Sequence, residues 1–180
     1  RQAAGQGRPP SARSKGRTQP MALSDRMRHY QVPGVSIAVI DGNSIDWARG
    51  YGSTDVEEPR PVDEQTLFQA ASISKPVAAL GALKLLESGK LTLEGNINQW
   101  LTSWELPENE FTAQRPVTLE TLLSHTAGTT VHGFGGYRID TGLPTVPQIL
   151  DGLPPANTKA VRVDKLPGEG FRYSGGGTTI

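Results

Sequence analysis

The feature that most constrains the fold is an almost wholly apolar stretch at residues 76–86, PVAALGALKLL, which contains a single charged residue. A helix that is apolar on nearly every side is normally buried. Pro76 suits a first helical turn, where its missing N–H costs no hydrogen bond. Gly89 suits a helix end. We therefore expect a helix from about Ser72 to about Ser88 that runs through the middle of the core.

The residues Ser72-Ile73-Ser74-Lys75 open this predicted helix. Positions three apart share a helix face, so the Ser72 hydroxyl and the Lys75 amine are expected within hydrogen-bond reach. The helix N-terminus would stabilise developing negative charge, and apolar surroundings would favour a neutral, proton-accepting lysine. By chance alone a chain of this length holds a Ser-x-x-Lys about half the time, and the alternative is an N-cap serine beside a solvated lysine. Its position at the start of the apolar helix favours a nucleophile and its base.

Composition sets the outer limits of what the chain can do. With 180 residues, 36% hydrophobic and 20% charged, it can bury one ordinary core. The absence of cysteine excludes a disulfide framework, a cysteine nucleophile and a cysteine-based zinc site. The zero formal net charge gives no indication of a nucleic-acid partner, and no apolar run is long enough to span a membrane.

Residues 1–20 differ from the rest, because they hold five Lys or Arg residues, no acid and no large apolar residue. Such a segment buries too little surface to offset its ordering entropy, so it is predicted to be a disordered basic tail. A nucleic-acid-binding arm is the alternative, although no aromatic residues are interleaved with the charges.

The remaining pattern predicts several shorter elements. A helix is expected from Met21 to Tyr30, and two β-branched runs around Asp-Gly-Asn at residues 41–43 predict a β-hairpin over 34–51. Short helices are expected at 117–124 and 146–153. Residues 161–163 and 171–173 are expected to be extended pieces.

Four segments, taken in order, resemble the serine β-lactamase-related family, in particular class C β-lactamases, D-alanyl-D-alanine carboxypeptidases and related esterases. They are VPGVSIA at 32–38, FQAASISKP at 68–76, LLSHTAG at 122–128 and FRYSGGG at 171–177. The resemblance implies an α+β, β-lactamase/transpeptidase-like fold, in which helices flank an antiparallel sheet and a helical lobe is added. It also implies that residues 21–180 are the N-terminal part of a truncated domain. The C-terminal half would be absent, because the family's Lys-Thr-Gly or His-Thr-Gly strand lies well beyond the tyrosine motif.

The resemblance implies roles for four residues. Ser72 would become acylated, Lys75 would take its proton or tune the group that does, and Tyr173 matches the tyrosine of the family's Tyr-x-Asn motif and would relay protons. Without the resemblance, the alternative for Tyr173 is a core aromatic residue with a hydrogen-bonded hydroxyl. Gly175 occupies the substrate-binding position where the family's β-lactamases have Asn. Its lack of an amide weakens a β-lactamase assignment and leaves esterase or peptidase chemistry more open.

The sequence therefore predicts a serine hydrolase that acts through an acyl-serine on an ester, a β-lactam or a D-amino-acid peptide. The alternative is a non-catalytic scaffold or an inactive fragment of the same fold. The expected partner is a small-molecule or peptide acyl substrate, with no nucleic acid and no cofactor. No metal is expected, because His29, His125 and His132 lack metal-ligand spacing and are assigned structural roles. Oligomeric state and compartment are left open, although the resemblance favours a periplasmic or extracellular location.

Overall fold

The computed structural model describes residues 21–138 and 140–180, so the predicted disordered tail at 1–20 lies outside the described residues. The chain divides into two compact units, with the boundary between Gln69 and Ala70.

The first unit contains a short helix and the predicted β-hairpin. Helix α1 spans Leu23–His29, and strands β1 (Gly34–Asp41) and β2 (Ser44–Gly52) pair antiparallel. The loop residues Gly42 and Asn43 both have positive φ, 53° and 62°. That conformation is typical of a two-residue type I′ turn, whose twist matches the flanking strands. The hairpin prediction is therefore confirmed, down to its turn.

The second unit is built from short helices joined by long loops. A 3₁₀ turn at Ala71–Ile73 precedes α2, and a second 3₁₀ turn spans Ile97–Gln99. The α-helices are α2 (Ser74–Glu87), α3 (Glu110–Gln114), α4 (Leu119–Leu123), α5 (Val146–Asp151) and α6 (Gly175–Thr179).

Local capping explains where these short helices begin and end. The side chains of Thr118 and Thr145 accept backbone N–H groups at the starts of α4 and α5, and both helices have capping boxes. Gly152 adopts φ 63° and ends α5, two residues before the predicted end at the Pro-Pro pair. Both predicted helices are confirmed.

The hydrophobic core of the second unit lies among the residues that follow α2 rather than around α2 itself. Its buried members are Ile97, Leu106, Val117, Leu119, Leu122, Ala127 and Val163. A single antiparallel bridge joins Thr129 to Val163, whereas residues 171–173 belong to no strand. The extended pieces expected at 161–163 and 171–173 therefore run as irregular backbone, apart from this bridge.

The expectation that α2 runs through the core is wrong for the described residues. No residue of α2 is buried, and Leu80 is 68% exposed. Ala82 is the one residue of this helix that is partly buried against the core. The prediction failed because a helix that is apolar on every side is buried only where other elements cover each of those sides. No helix in the described ranges has the length and hydropathy needed to cross a membrane.

Candidate active site

Ser72 lies in the 3₁₀ turn that leads into α2, two residues before the α-helix begins. The sequence placed it at the start of the α-helix, so its local conformation is corrected to a tighter turn. The preceding residue, Ala71, has φ 45°, a left-handed conformation that is uncommon for a residue other than glycine. Residues three apart still share one side of this turn. Accordingly, the Nζ atom of Lys75 donates a hydrogen bond to the Ser72 Oγ over 3.2 Å.

Tyr173 reaches the same serine from the far end of the chain. Its hydroxyl donates to Ser72 Oγ over 2.7 Å, across 101 residues of sequence. The Lys75 Nζ atom also lies 4.7 Å from the centroid of the Tyr173 ring. The structure therefore brings together Ser72, Lys75 and Tyr173, the three residues that the sequence proposed as catalytic. Ser72 is exposed, whereas Lys75 and Tyr173 are half-buried.

The neighbours of Tyr173 anchor its backbone. Ser174 is 1% exposed, and its Oγ donates to the Thr130 carbonyl over 2.7 Å and accepts the Gly177 N–H over 2.9 Å. On the other side, the Arg172 guanidinium bonds to the Thr129 carbonyl over 3.1 Å. The guanidinium also contacts the carbonyl of Gly128 and the carboxylate of Asp164. The phenol is thus held between two residues that are each tied to the loop after α4.

The electrostatics at the tyrosine favour its ionised form. The Lys75 side chain is the largest influence that lowers the Tyr173 pKa, followed by the hydrogen bond with Ser72. A cation beside a phenol stabilises the phenolate, which makes proton transfer through this group easier at moderate pH. The arrangement can therefore accept and return a proton at the Ser72 hydroxyl.

Two histidines near Tyr173 were assigned structural roles from the sequence. The ring centroid of His125 lies 4.6 Å from that of Tyr173, and the ring of His132 lies 5.0 Å away. Sequence reasoning missed this proximity because the two histidines are 48 and 41 positions from Tyr173 in the chain. The one available signal was the occurrence of His125 within the LLSHTAG segment.

Gly175 is buried beneath the loop at 132–134. Its N–H donates to the His132 carbonyl over 2.9 Å, and its carbonyl accepts the Thr179 hydroxyl over 2.9 Å. A Cβ at this position would stand 3.1 Å from the His132 oxygen and 3.4 Å from Phe134 Cε2. The loop therefore occupies the space into which a longer side chain would project. A substrate-binding role for Gly175 stays a prediction.

Two cavities adjoin the same loop. The larger, of about 680 Å³, is lined by apolar, hydroxyl and cationic side chains between segments 130–134 and 158–162. The smaller, of about 280 Å³, includes Tyr173, Arg172 and His132 in its wall. Thr130, Val131 and His132 line both cavities. Within residues 21–138 and 140–180, no cluster of three His, Asp or Glu side chains could hold a metal ion.

Several known proteins are similar to this chain in sequence and in fold. Over 102 residues the chain is 34% identical to the esterase EstB of Burkholderia gladioli, covering 57% of the chain and 26% of the esterase. A solved octameric penicillin-binding protein homologue from Pyrococcus abyssi matches 87% of the chain with a TM-score of 0.65 and 28% identity. The D-amino acid amidase of Ochrobactrum anthropi SV3 matches 86% of the chain, with a TM-score of 0.64 and 27% identity.

The chain spans only part of each of these relatives, 35% of the Pyrococcus chain and 40% of the amidase. These neighbours show the β-lactamase/transpeptidase-like α+β fold that the sequence predicted. The family model described as Beta-lactamase matches residues 21–180, a range that contains Ser72, Lys75 and Tyr173. With this match over almost all of its length, the chain belongs to the beta-lactamase family.

Proposed function

We propose that this protein is a serine hydrolase in which Ser72 is the nucleophile, Lys75 its base and Tyr173 a proton relay. The observation that carries the proposal is the convergence of two hydrogen bonds on one serine oxygen. Lys75 Nζ lies 3.2 Å and the Tyr173 hydroxyl 2.7 Å from Ser72 Oγ. A hydroxyl nucleophile needs an adjacent base, and here two candidate proton acceptors are within reach.

In the proposed first half-reaction, Ser72 Oγ attacks the acyl carbon and forms a new C–O bond. The serine proton passes to the Tyr173 phenolate beside the Lys75 cation, or to Lys75 Nζ when that amine carries no charge, and the carbonyl oxygen takes up the negative charge. When the tetrahedral intermediate collapses, the bond to the leaving group breaks and that group receives the proton. The lowered Tyr173 pKa supports this transfer, because a phenolate forms there at a lower pH than usual.

In the second half-reaction, water attacks the acyl carbon, forms a new C–O bond and gives its proton to the same relay. The bond between the acyl carbon and Ser72 Oγ then breaks, the acid leaves, and the relay returns a proton to Ser72 Oγ. The Ser72 backbone N–H is the proposed first oxyanion donor. Preorganised N–H donors of this kind act where negative charge develops.

The proposed substrate class is an ester or a D-amino-acid amide or peptide rather than a β-lactam. Gly175 supports this choice, since its N–H and carbonyl are already used within the protein and it offers no side-chain amide. The names of two similar proteins, an esterase and a D-amino acid amidase, agree with it. We also propose that residues 21–180 form the N-terminal part of a larger domain, because the chain covers only 26–40% of these relatives.

Active-site labelling tests the assignment. The full-length protein is incubated with a fluorescent fluorophosphonate, and labelled peptides are mapped by mass spectrometry. We expect Ser72 to carry the label and the Ser72→Ala variant to carry none, while Ser74→Ala, which alters the neighbouring serine, labels like the wild type. Absence of label on Ser72 would refute the proposal and leave a non-catalytic scaffold. Hydrolysis of p-nitrophenyl esters, D-phenylalanine amide and nitrocefin then separates the substrate classes.

A further inference from the structure

His125 contacts each of the three consecutive residues around the Tyr173 phenol. Its carbonyl accepts the Arg172 N–H over 2.8 Å, and its Nδ1 accepts the Ser174 N–H over 3.3 Å. Its ring lies against the Tyr173 ring, with centroids 4.6 Å apart and planes inclined by 34°. One residue therefore supports the phenol ring and the backbone on both sides of it.

The backbone of His125 is held in a strained conformation to make these contacts. It follows the end of α4, its N–H bonds to the Leu122 carbonyl over 3.2 Å, and its φ is 58°. Glycine or asparagine is the usual residue in this conformation after a helix. A bulkier residue persists there only where its surroundings impose it, and such residues cluster at functional sites. The contacts to residues 172–174 supply the reason for a histidine at this position.

We infer that His125 is a positioning residue, which holds the Tyr173 hydroxyl against Ser72 through its carbonyl oxygen and its Nδ1 atom. The inference rests on the proposed function, because a misplaced hydroxyl matters only if Tyr173 relays protons. The hydrogen bonds at Ser72 Oγ come from Lys75 and Tyr173, so the proposed effect of His125 on the reaction passes through Tyr173.

The contact at Nδ1 requires a neutral imidazole, because a protonated Nδ1 would turn a donor toward the Ser174 N–H. Burial, followed by the charge of Lys75, lowers the pKa of His125 from its ordinary value of 6.5. The neutral form therefore dominates near neutral pH, and acid below that range breaks the contact. The charged and titratable groups on the elements around the ring are Lys75, Glu120, His132, Arg172 and Tyr173.

Two variants distinguish the effect of losing the His125 side chain from the effect of relieving its backbone strain. His125→Asn keeps an acceptor, Oδ1, at the position of Nδ1, tolerates positive φ and has no titratable group. His125→Gly removes the acceptor and the ring while relieving the strain. Both are therefore expected to fold with melting temperatures close to that of the wild type.

The experiment measures kcat, KM and their pH dependence for p-nitrophenyl acetate hydrolysis by the full-length protein. We expect His125→Gly to lose about 100-fold in kcat, with KM changed by less than about threefold, since displacements near 1 Å cost about this much. His125→Asn should retain at least about ten times the kcat of His125→Gly. Protonation of the proton relay lowers the rate in both proteins as the pH falls. His125→Asn should lack only the additional decline that we expect of the wild type where His125 takes up a proton, below its ordinary value of 6.5.

A wild-type kcat in His125→Gly would overturn the inference, and so would equal kcat values in the two variants or an unchanged acid limb in His125→Asn. A readout that needs no turnover keeps this result separate from the proposed function. The ultraviolet titration of Tyr173, taken as the difference from Tyr173→Phe, should move to higher pH in His125→Gly and stay near wild type in His125→Asn. If the wild type fails to label at Ser72, the proposed function fails, while this titration still decides whether His125 positions Tyr173.

Discussion

Replacing Ser174 with alanine should destabilise the protein far more than the loss of one hydroxyl would suggest. The side chain is 1% exposed and pairs two backbone groups: it accepts the Gly177 N–H over 2.9 Å and donates to the Thr130 carbonyl over 2.7 Å. Loss of the N-cap costs about 1 kcal/mol. The half-buried Thr130 carbonyl, left without the hydroxyl, adds about 1–2 kcal/mol. We therefore expect the free energy of unfolding to fall by about 2–3 kcal/mol.

Urea unfolding followed by far-ultraviolet circular dichroism measures this change, as a lowering of the midpoint by about 1 M. Thr145→Ala is the matched control, because Thr145 caps α5 with its side chain exposed and bonds no distant carbonyl. It should cost only the cap, about 1 kcal/mol. If Ser174→Ala costs no more than Thr145→Ala, the hydrogen bond to the Thr130 carbonyl contributes nothing and the reasoning is refuted.

Two further predictions concern the environment of Tyr173. Lys75→Met should move the Tyr173 ultraviolet titration to higher pH, toward 10.0, because the lysine is the largest influence that lowers this pKa; an unmoved titration would contradict that cause. Gly175→Asn should destabilise the protein by about 1–3 kcal/mol through overpacking against the His132 carbonyl and the Gly133 Cα, without conferring nitrocefin hydrolysis. Gly170→Asn is its control, since no atom lies within 4 Å of a Cβ there, and equal melting temperatures for the two variants would contradict the packing argument.

Features that depend on neighbouring residues were predictable from the sequence. The hairpin follows from two β-branched runs around Gly42 and Asn43, and the capped starts of α4 and α5 follow from Thr118 and Thr145. The proximity of Ser72 to Lys75 is equally local, because residues three apart in a helical turn lie on one side of it. Even the change from an α-helix to a 3₁₀ turn at Ser72 leaves that pair within 3.2 Å.

Burial was predicted less well, because it depends on which elements pack together. The apolar composition of α2 indicated a core helix, yet Leu80 is largely exposed and the core forms around residues such as Val117 and Leu122. Hydrophobic patterning identifies a surface suited to burial, but it does not specify what will cover that surface. The same limitation hid the loop at 132–134 that packs over Gly175.

By itself, the sequence determined the four-residue nucleophile motif, the hairpin and the presence of the short helices α4 and α5, all of which depend on hydrogen bonds between residues close in the chain. The sequence also contains the segments that resemble the family, and this resemblance implied that Tyr173 acts at the same site as Ser72. Only the tertiary structure decided that the Tyr173 hydroxyl lies 2.7 Å from Ser72 and that His125 supports the phenol. Those contacts join residues 48 to 101 positions apart. Their geometry therefore depends on how the loops after α4 pack, which no local pattern encodes.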